Sequence, residues 1–517
     1  MPIIQQGALN STALVVPDLY VQIVSPQTLL LNGVPTNIIG IVGTASWGPV
    51  GEPTVIGSMS DYATAFGQVI ARKYDMGTHV ATAIQQGATS FRCVRVTDGT
   101  DTAASLTILG ALSLTAIYTG STGNNISVAI LPGSVTGSWK VVVSIPRQFP
   151  EVFDNITGSG EVLWQNIASA INSGSGVLRG PSQLIVASAL AVGATPAIGE
   201  YSFASGTPGT DGATGVNATA LIGVDTVPRL GMYALRAQGC AIALLADSDT
   251  SMLWSTQMEF GLSESIYMIL TGPAGDTIAN ATVVKAESGV DSYAVKLMFG
   301  DWVYWFDQTN ALTRLVSPQG FVAGRLANLS PEQSSLNKPL YGVVGTQKSG
   351  QPGSATTTSY SNAELAALLG AGIDVIANPQ PGGSYWGVRG GHNTSSSATI
   401  NGDNYTRLTN YIGATLQSGM GQYVGQLINT TLFQNIRSTL MAFLNGLLQQ
   451  GILGSTNGNL PFAVTCDLKN NPASRTSLGY VQADVQIQYQ AINEKFIVNL
   501  QGGQTVQVSV QKTLMAN

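Results

Sequence analysis

The most regular pattern of hydrophobic and polar positions lies near the C-terminus. From Gly479 to Tyr489, apolar and polar residues alternate along the chain. A period of two is typical of a half-buried β-strand, because successive side chains of a strand point to opposite faces. The apolar face of this predicted strand carries Val481, Ala483, Val485, Ile487 and Tyr489.

Both ends of the chain carry a further strand-forming segment. The C-terminal one alternates as cleanly as the first strand, and little chain follows that would pair with it. Because an unpaired strand edge invites strands from other chains, such arms are typical of a polymer subunit. The alternative is that each arm pairs within its own domain. The candidate arm residues are Leu14, Val15, Val16, Leu19, Tyr20, Val21, Ile23 and Val24 at the N-terminus, and Thr505, Val506, Val508 and Val510 at the C-terminus.

The middle of the chain alternates between strand and helix patterns. This order predicts a largely parallel sheet with right-handed crossovers. The predicted elements are strands at 36–44, 91–96, 240–246, 265–270 and 293–299, and helices at 75–86, 250–260 and 276–288. Between the two halves, residues 97–206 are enriched in Ala, Ser, Thr and Gly and contain short strand-like runs, which indicates a separate, mostly β insertion.

The clearest amphipathic helix spans residues 430–450. One side of it is a continuous apolar stripe, as in a helix that packs on a core. The opposite side carries a single charge, Arg437, close to Gln434. The stripe consists of Leu432, Ile436, Leu440, Phe443, Leu444, Leu447 and Leu448.

Composition narrows the classes of function. Charged residues make up only 10% of the 517 residues, against roughly 25% in average globular proteins. Such a weakly charged surface suits burial in an assembly, although a Gly- and Ser/Thr-rich extracellular β protein has the same bias. With a net charge of -6 and no basic run, the chain lacks the electrostatic footprint of a partner for nucleic acid or for an anionic membrane.

Cysteine usage and the N-terminus indicate where the protein folds. Cys93, Cys240 and Cys466 are odd in number and far apart, which argues against a disulfide framework or a metal site. We expect all three to be buried apolar residues in a reducing cytosol. No signal-peptide pattern is present, and no uncharged apolar run approaches the roughly 18 residues of a membrane span. We expect a soluble protein without cofactor or metal.

Few residues suggest catalysis. Asp247 and Asp249 directly follow the predicted strand 240–246, where α/β sheets place their sites. An Asp after a strand is also a common helix N-cap, here before 250–260, and this interpretation is favoured. The two histidines, His79 and His392, lie in no recognisable motif. The sequence therefore predicts a protein without catalytic residues.

Two other segments have both a chemical and a structural interpretation. Gly206–Gly215 is glycine-rich, but it lacks the Gly-Lys-Ser/Thr of a phosphate loop, and a turn-rich domain boundary is favoured. The aromatic run Trp302–Phe306 suits either a core strand or a platform for sugars or bases, the core strand being commoner. A β-rich shell or adhesin protein would explain the low charge and the arms but not the α/β middle.

A series of short motifs points to a known family by its order along the chain. The motifs are the strand around Val21, Gly33–Pro35, Ile41–Ala45, Trp47–Pro49, Met59–Gly67, Gly209–Gly212, Ser317–Gly324, Trp386–Arg389, the helix Leu432–Leu453, Cys466-Asp467 and Asn470–Pro472. Together they resemble the contractile tail sheath family of myovirus-type phages, R-type pyocins and related injection machines. The resemblance hardly touches 97–206.

The resemblance implies an α/β and α+β multidomain fold. Residues 25–96 and 207–360 would form a discontinuous α/β middle domain, and 97–206 a mostly β outer insertion. A small inner α+β domain would combine the arm 1–24 with 361–517 and face a tail tube. Its terminal arms would exchange with neighbouring subunits. The acceptor strand would carry Val481, Val485, Ile487 and Tyr489, and the candidate tube-facing helix Arg437 and Gln434.

The function that this resemblance implies is structural. The subunit would polymerise helically around the tail tube and contract to drive the tube through the host cell envelope for genome ejection. Its partners would be further copies of itself, the tail tube protein, and baseplate and tail terminator proteins, with no nucleic acid and no membrane insertion. It would assemble in the host bacterial cytoplasm and reside in the virion tail. The alternative is the sheath of a pyocin-like or other non-phage injection machine.

Overall fold

The computed structural model describes residues 3–6, 20–23, 31–176, 179–190, 196–354 and 358–502. The described part is a mixed α/β protein with several sheets. In chain order its strands are β1 (Ile3–Gln6), β2 (Tyr20–Ile23), β3 (Ile38–Gly43), β4 (Thr54–Ile56), β5 (Ser90–Arg95), β6 (Ala103–Ile108), β7 (Leu112–Thr119), β8 (Ser127–Pro132), β9 (Trp139–Ser144), β10 (Glu151–Ile156), β11 (Ile185–Ala189), β12 (Gly199–Ser202), β13 (Ile242–Leu245), β14 (Tyr267–Thr271), β15 (Val295–Met298), β16 (Val303–Asp307), β17 (Leu312–Val316), β18 (Val343–Thr346), β19 (Ile373–Asp374), β20 (Ile376–Ala377), β21 (Gly387–Val388), β22 (Phe462–Thr465) and β23 (Asp484–Ile487).

Helices cover the sheets and connect the strands. In chain order they are α1 (Met59–Phe66), α2 (Met76–Gln85), α3 (Gly160–Ser173), α4 (Ala218–Ile222), α5 (Trp254–Glu264), α6 (Ile278–Glu287), α7 (Gln319–Ala327), α8 (Asn362–Gly370), α9 (Asp403–Met420), α10 (Thr430–Gln449) and α11 (Ala473–Thr476). Within the described ranges, none of these helices combines the length and the hydropathy that a bilayer span requires.

Seven strands form a central sheet in the order β19-β15-β14-β13-β3-β5-β4. All neighbours run parallel except β4, which is antiparallel to β5. The parallel sheet predicted from the alternating elements is therefore confirmed. Strands β3, β13 and β14 are buried at every position, which explains their continuous apolar sequences, because helices cover both faces of such a sheet.

The two faces of the central sheet have separate cores. On one face, Phe66, Val80 and Phe321 of α1, α2 and α7 pack in one cluster with strand residues. On the other face, Phe260 and Leu368 of α5 and α8 pack in a second cluster. Strand β19 forms one edge of this sheet, and helix α8 packs on its second face. The central sheet therefore includes residues beyond 360, whereas the sequence prediction begins the inner domain at 361.

Residues 103–202 build two antiparallel sheets of their own, in the orders β10-β9-β8-β12 and β11-β7-β6. Helix α3 packs against β10 and β11. A separate core fills this unit, with Phe153 and Trp164 fully buried. Phe203, just after β12, and the distant Trp47 also join this core, where the ring of Trp47 meets Tyr118 edge-on at 5.4 Å between centroids.

The aromatic run Trp302–Phe306 lies largely in β16, the central strand of the sheet β17-β16-β18. Trp302, Val303 and Trp305 are buried, whereas Phe306 is 48% exposed. This alternation supports the core-strand interpretation. The three cysteines are free and buried, as predicted.

Candidate inter-subunit assembly site

The predicted acceptor strand forms the second strand of a small sheet near the C-terminus. Strand β23 is shorter than the alternating pattern and pairs antiparallel with β22, with Val485 opposite Val464 and Ile487 opposite Phe462. Among the described residues neither strand has a further partner, so both outer edges of this sheet are open. Open edges carry backbone N–H and C=O groups that can accept another strand.

The face of this sheet packs on helices, which explains the alternation in its sequence. Val481, Val485, Ile487 and Tyr489 are half-buried against the core formed by α9 and α10, although only Val485 and Ile487 lie within β23. The apolar stripe of α10 faces the same core, as predicted. Its buried members are Leu432, Ile436, Leu440, Phe443, Leu444 and Leu447.

A groove of about 770 Å³ runs between α9 and β23. Ile412 and Leu416 of α9 line one side, and Val485 and Ile487 line the other. On the helix side, Gly413 faces open space, since a Cβ built there would meet no atom within 4 Å. The groove therefore has room for the side chains of a strand added beside β23.

The chain that follows β23 contains an apolar segment that sequence reasoning missed. Phe496 is 82% exposed, Val498 69% and Leu500 90%, and Ile497 between them is also exposed. Residues 488–502 have no regular secondary structure. The signal in the sequence is the spacing of Phe496, Val498 and Leu500 at every second position, which would place all three on one face of a strand.

The predicted arm residues are only partly within the described chain. Tyr20, Val21 and Ile23 lie in β2, which pairs parallel with β1, so that Ile4 stands opposite Val21. Outside the described residues lie Leu14, Val15, Val16, Leu19, Val24, Thr505, Val506, Val508 and Val510. Exchange of either arm between subunits stays a prediction.

The candidate tube-facing residues lie on the face of α10 that points away from the core. Arg437 and Gln434 are both exposed, one turn apart on this helix. Asn429 caps the helix, because its side-chain oxygen accepts a hydrogen bond from the backbone N–H of Leu432 at 2.8 Å. The helix thus presents these two side chains on a well-defined element.

A buried ion cluster connects α9 to the central sheet. Lys296 Nζ on β15 donates to Asp374 Oδ2 at 2.7 Å and to Asp403 Oδ1 at 3.0 Å. All three side chains are at most 1% exposed. Tyr267 Oη also donates to Asp403, at 2.7 Å, and Ser335 donates to its other oxygen. Each charged side chain of this cluster therefore has a charged or polar hydrogen-bond partner, as burial requires.

Lys296 and Asp403 keep their charges despite burial. Burial opposes the charged ammonium of Lys296, but Asp374 and Asp403 outweigh it and raise the pKa of this group. Burial likewise opposes ionisation of Asp403, yet Lys296 and the hydrogen bonds from Ser335 and Tyr267 lower its pKa to about 2. The first turn of α9 is thus fixed to β15 by a full ion pair.

Asp247 and Asp249 do not cap the following helix, so that prediction is wrong. Helix α5 begins at Trp254, and its N-cap residue Leu253 makes no side-chain capping bond. Asp247 instead lies in the left-handed region with φ 49°. Its Oδ1 is 3.1 Å from Nε2 of His79, and its Oδ2 accepts from the backbone N–H of Tyr74 at 3.2 Å.

The carboxylates near the C-terminal ends of β3 and β13 make structural contacts with neighbouring side chains and backbone groups. Asp249 pairs with Lys73 at 3.0 Å on the surface. Burial opposes ionisation of Asp247, but His79 and its hydrogen bonds hold its pKa below the usual range. Nearby, burial raises the pKa of Asp75 to about 6, against the hydrogen bonds from Thr78 that cap α2. No group of three or more His, Cys, Asp or Glu side chains suited to a metal occurs in the described chain.

Comparison with known proteins places the fold. No protein-family model matches the sequence, and no curated protein matches it. In structure, the chain is similar to a sheath tail protein of Desulfitobacterium hafniense, with a TM-score of 0.57 and 18% identity, over 87% of this chain and 93% of that one.

Two further solved structures agree. A sheath tail protein of Listeria innocua gives a TM-score of 0.58 at 15% identity, over 85% of this chain and 90% of that one. The sheath complex of an extracellular contractile injection system, PVC, in its contracted state gives 0.56 at 12% identity, over 95% of this chain and 99% of that one. The resemblance to the sheath family indicated by the motifs is confirmed at the level of the fold.

Proposed function

We propose that this protein is the structural subunit of a contractile tail sheath, which polymerises helically around a tail tube and contracts to drive the tube through a host cell envelope. The observation that carries the proposal is the open two-stranded sheet with its groove, followed by an exposed apolar segment in the same chain. An acceptor and a donor on one subunit permit an open-ended, head-to-tail assembly.

Strand addition suits such an assembly physically. A strand from a neighbouring subunit would pair with β22 or β23 through backbone hydrogen bonds, while its alternate side chains enter the groove beside Gly413. The N-terminal arm and the C-terminal arm are the proposed donors. Backbone bonds of this kind would keep subunits connected while each one rotates and slides as a rigid body.

Contraction in this proposal needs no fuel at the moment of firing. The extended sleeve would be kinetically trapped, and the contracted sleeve would bury more surface between subunits. Because apolar burial contributes roughly 25 cal/mol per Å², about 100 Å² more buried surface per subunit gives a few kcal/mol. Many subunits acting together would then supply the work of penetration.

The remaining partners follow from the same proposal. The inner part, formed by the arm and by residues from about 361 onward, would face the tube and present Arg437 and Gln434 to it. Residues 97–206 would lie outermost. Baseplate and tail terminator proteins would contact the ends of the sleeve. The low charge of the chain gives no basis for a nucleic acid partner. The carboxylates of Asp247 and Asp249 are engaged in contacts with His79 and Lys73, which favours a protein without catalysis.

A second candidate is the sheath of a non-phage injection machine. The similarity to the PVC sheath, which extends over 99% of that chain, favours it. The two candidates differ in what the sleeve carries. Particles purified from the source cells and labelled with an antibody against this protein would carry a DNA-filled head in the phage case and would lack a head in the other.

Electron microscopy of the purified chain tests the proposal most directly. Expressed alone and concentrated stepwise, the protein is expected to form hollow tubes of uniform width. If it stays monomeric, the candidate tube protein is added as a template. Persistent monomers in the presence of tube protein would overturn the sheath proposal.

A further inference from the structure

The exposed apolar segment begins at a point where the chain is fastened to the body of the protein. Asn404 Nδ2 donates to the backbone oxygen of Gln490 at 3.0 Å. Four residues later, Glu494 Oε1 lies 2.7 Å from Nε2 of His392. Beyond Glu494, the large apolar side chains of 496–500 are exposed. The two contacts thus mark the root of the segment.

Aromatic contacts reinforce the first of these two points. The ring of Tyr489 meets the ring of Tyr405 at 5.7 Å between centroids, and Tyr405 meets Tyr293 at the same distance. The hydroxyl of Tyr489 also lies 3.2 Å from Oγ1 of Thr409. These edge-on ring contacts connect the chain just before the root to α9 and to the segment that leads into β15.

Both fastening residues are themselves held by the buried ion cluster. The backbone oxygen of His392 accepts from Lys296 Nζ at 3.0 Å, and its backbone N–H donates to Asp374 Oδ2 at 3.3 Å. Asn404 directly follows Asp403 in the first turn of α9 and is only 7% exposed. The root is therefore fixed relative to the central sheet and not only to the small sheet β22-β23.

We propose that Asn404 and His392 form an anchor that positions the segment Phe496–Leu500 for donation to a neighbouring subunit. This inference rests on the proposed function and adds a specific donor segment and the residues that aim it. Fixing the root removes conformational freedom before binding, so that less entropy is lost when the segment docks. It also restricts where the segment can reach, which raises its effective concentration at a fitting site.

The contact between His392 and Glu494 alone would be a weak anchor, because pairs of partly exposed polar side chains contribute little. Its side chains are 18% and 37% exposed. Its effect comes from its position, four residues after a hydrogen bond to a buried amide. Closing so short a loop between two fixed points costs little entropy, so each contact stabilises the other.

Two variants test the anchor, with a matched control. Glu494→Gln removes the charge facing His392, and Asn404→Ala removes the amide that holds Gln490. Glu287→Gln is the control, because Glu287 is exposed on α6 and the substitution is chemically the same. Limited thermolysin digestion of the full chain, kept dilute and monomeric, then reports the rate of cleavage within residues 489–495. The concentration at which sleeves form is measured separately by electron microscopy.

We expect cleavage there to be about two- to tenfold faster in each anchor variant, because Asn404→Ala removes a hydrogen bond and Glu494→Gln weakens one by removing its charge. The critical concentration for sleeves should rise by a similar factor. For Glu494→Gln the melting temperature should equal that of Glu287→Gln. Unchanged cleavage would overturn the anchor. Faster cleavage with an unchanged critical concentration would overturn its positioning role.

Failure of the sheath proposal can be distinguished from failure of the anchor. If no variant and no wild-type chain ever forms a sleeve, even with tube protein, the proposed function fails, whatever the cleavage rates are. If wild-type sleeves form and the Glu494→Gln and Asn404→Ala chains assemble at the wild-type concentration, the function stands and the anchor is rejected. The anchor would also be rejected if both anchor variants lose as much free energy of folding as of assembly, because the residues would then act on folding.

Discussion

Nζ of Lys296 and Oδ1 of Asp403 lie 3.0 Å apart, and neither side chain is exposed. Lys296 belongs to β15 of the central sheet, and Asp403 begins α9, the helix that carries the groove of the assembly site. The contact therefore fixes the candidate assembly site to the α/β core. Four residues along α9, Arg407 is also buried, and its guanidinium donates to the backbone oxygen of Leu329 at 2.7 Å.

Removing the ammonium of this cluster should be strongly destabilising. In Lys296→Met, Asp374 and Asp403 would stay buried without their cation, which typically costs about 3–5 kcal/mol. We expect a large fall in the urea midpoint of unfolding, whereas the exposed control Lys469→Met should keep the wild-type midpoint. The double variant Lys296→Met with Asp403→Asn should regain part of the loss. An unchanged midpoint in the single variant would mean that the cluster contributes nothing to stability.

Asp75 should make stability depend on pH between about 4 and 6. Its pKa in the folded protein is about 6, against about 3.9 for an unperturbed Asp, so the folded state holds a proton that the unfolded chain releases in this window. Stability therefore falls as pH rises through it, by about 3 kcal/mol in total. Asp75→Asn keeps an oxygen to cap α2 and should remove that fall.

Urea unfolding of wild type and Asp75→Asn at pH 4, 5, 6 and 7 checks this expectation. The difference in unfolding free energy between variant and wild type should shift in favour of the variant as pH rises. Asp61→Asn, at an exposed position of α1, serves as the control. If the curves of Asp75→Asn and wild type run parallel over the whole range, the carboxyl of Asp75 does not carry the effect.

Truncation should separate folding from polymerisation. Removal of residues 505–517 should leave a folded, soluble subunit that forms no sleeves, because a proposed donor strand is lost while every core residue of the described chain is kept. A second truncation after Glu494 also removes the exposed segment Phe496–Leu500. Sedimentation and electron microscopy measure both. Normal sleeves from the shorter deletion would exclude the final residues as donors, and normal sleeves from the longer one would exclude C-terminal arm exchange altogether.

Deletion of the insertion 97–206 should spare the rest of the protein. The two connections run side by side, since the backbone N–H of Asp98 donates to the oxygen of Gly212 at 2.7 Å, so a short loop can close the chain. The deletion uncovers Trp47, which packs against Tyr118. We expect the variant with Trp47→Ser to be soluble with a cooperative melt by circular dichroism. Wholesale aggregation of both versions would contradict an independently folding insertion.

Local pattern accounts for the elements that were predicted well. The strands of the central sheet and the helix α10 follow from apolar runs and stripes, because burial on two faces or on one side imposes a period that single residues reveal. The predicted acceptor strand alternates for the same reason. Asp247 was misassigned because an Asp after a strand suits a cap locally, whereas the structure turns its side chain toward His79, 168 positions earlier in the chain.

The sequence by itself determined the periodic elements, the parallel central sheet and the resemblance to a sheath. Tertiary structure alone decided which distant polar groups meet: Lys296 with Asp403, His79 with Asp247, and His392 with Glu494. It also decided that a groove opens beside β23. The physical reason is that periodicity reflects the surroundings of each segment, whereas a contact between distant residues depends on how whole elements pack, which no local pattern encodes.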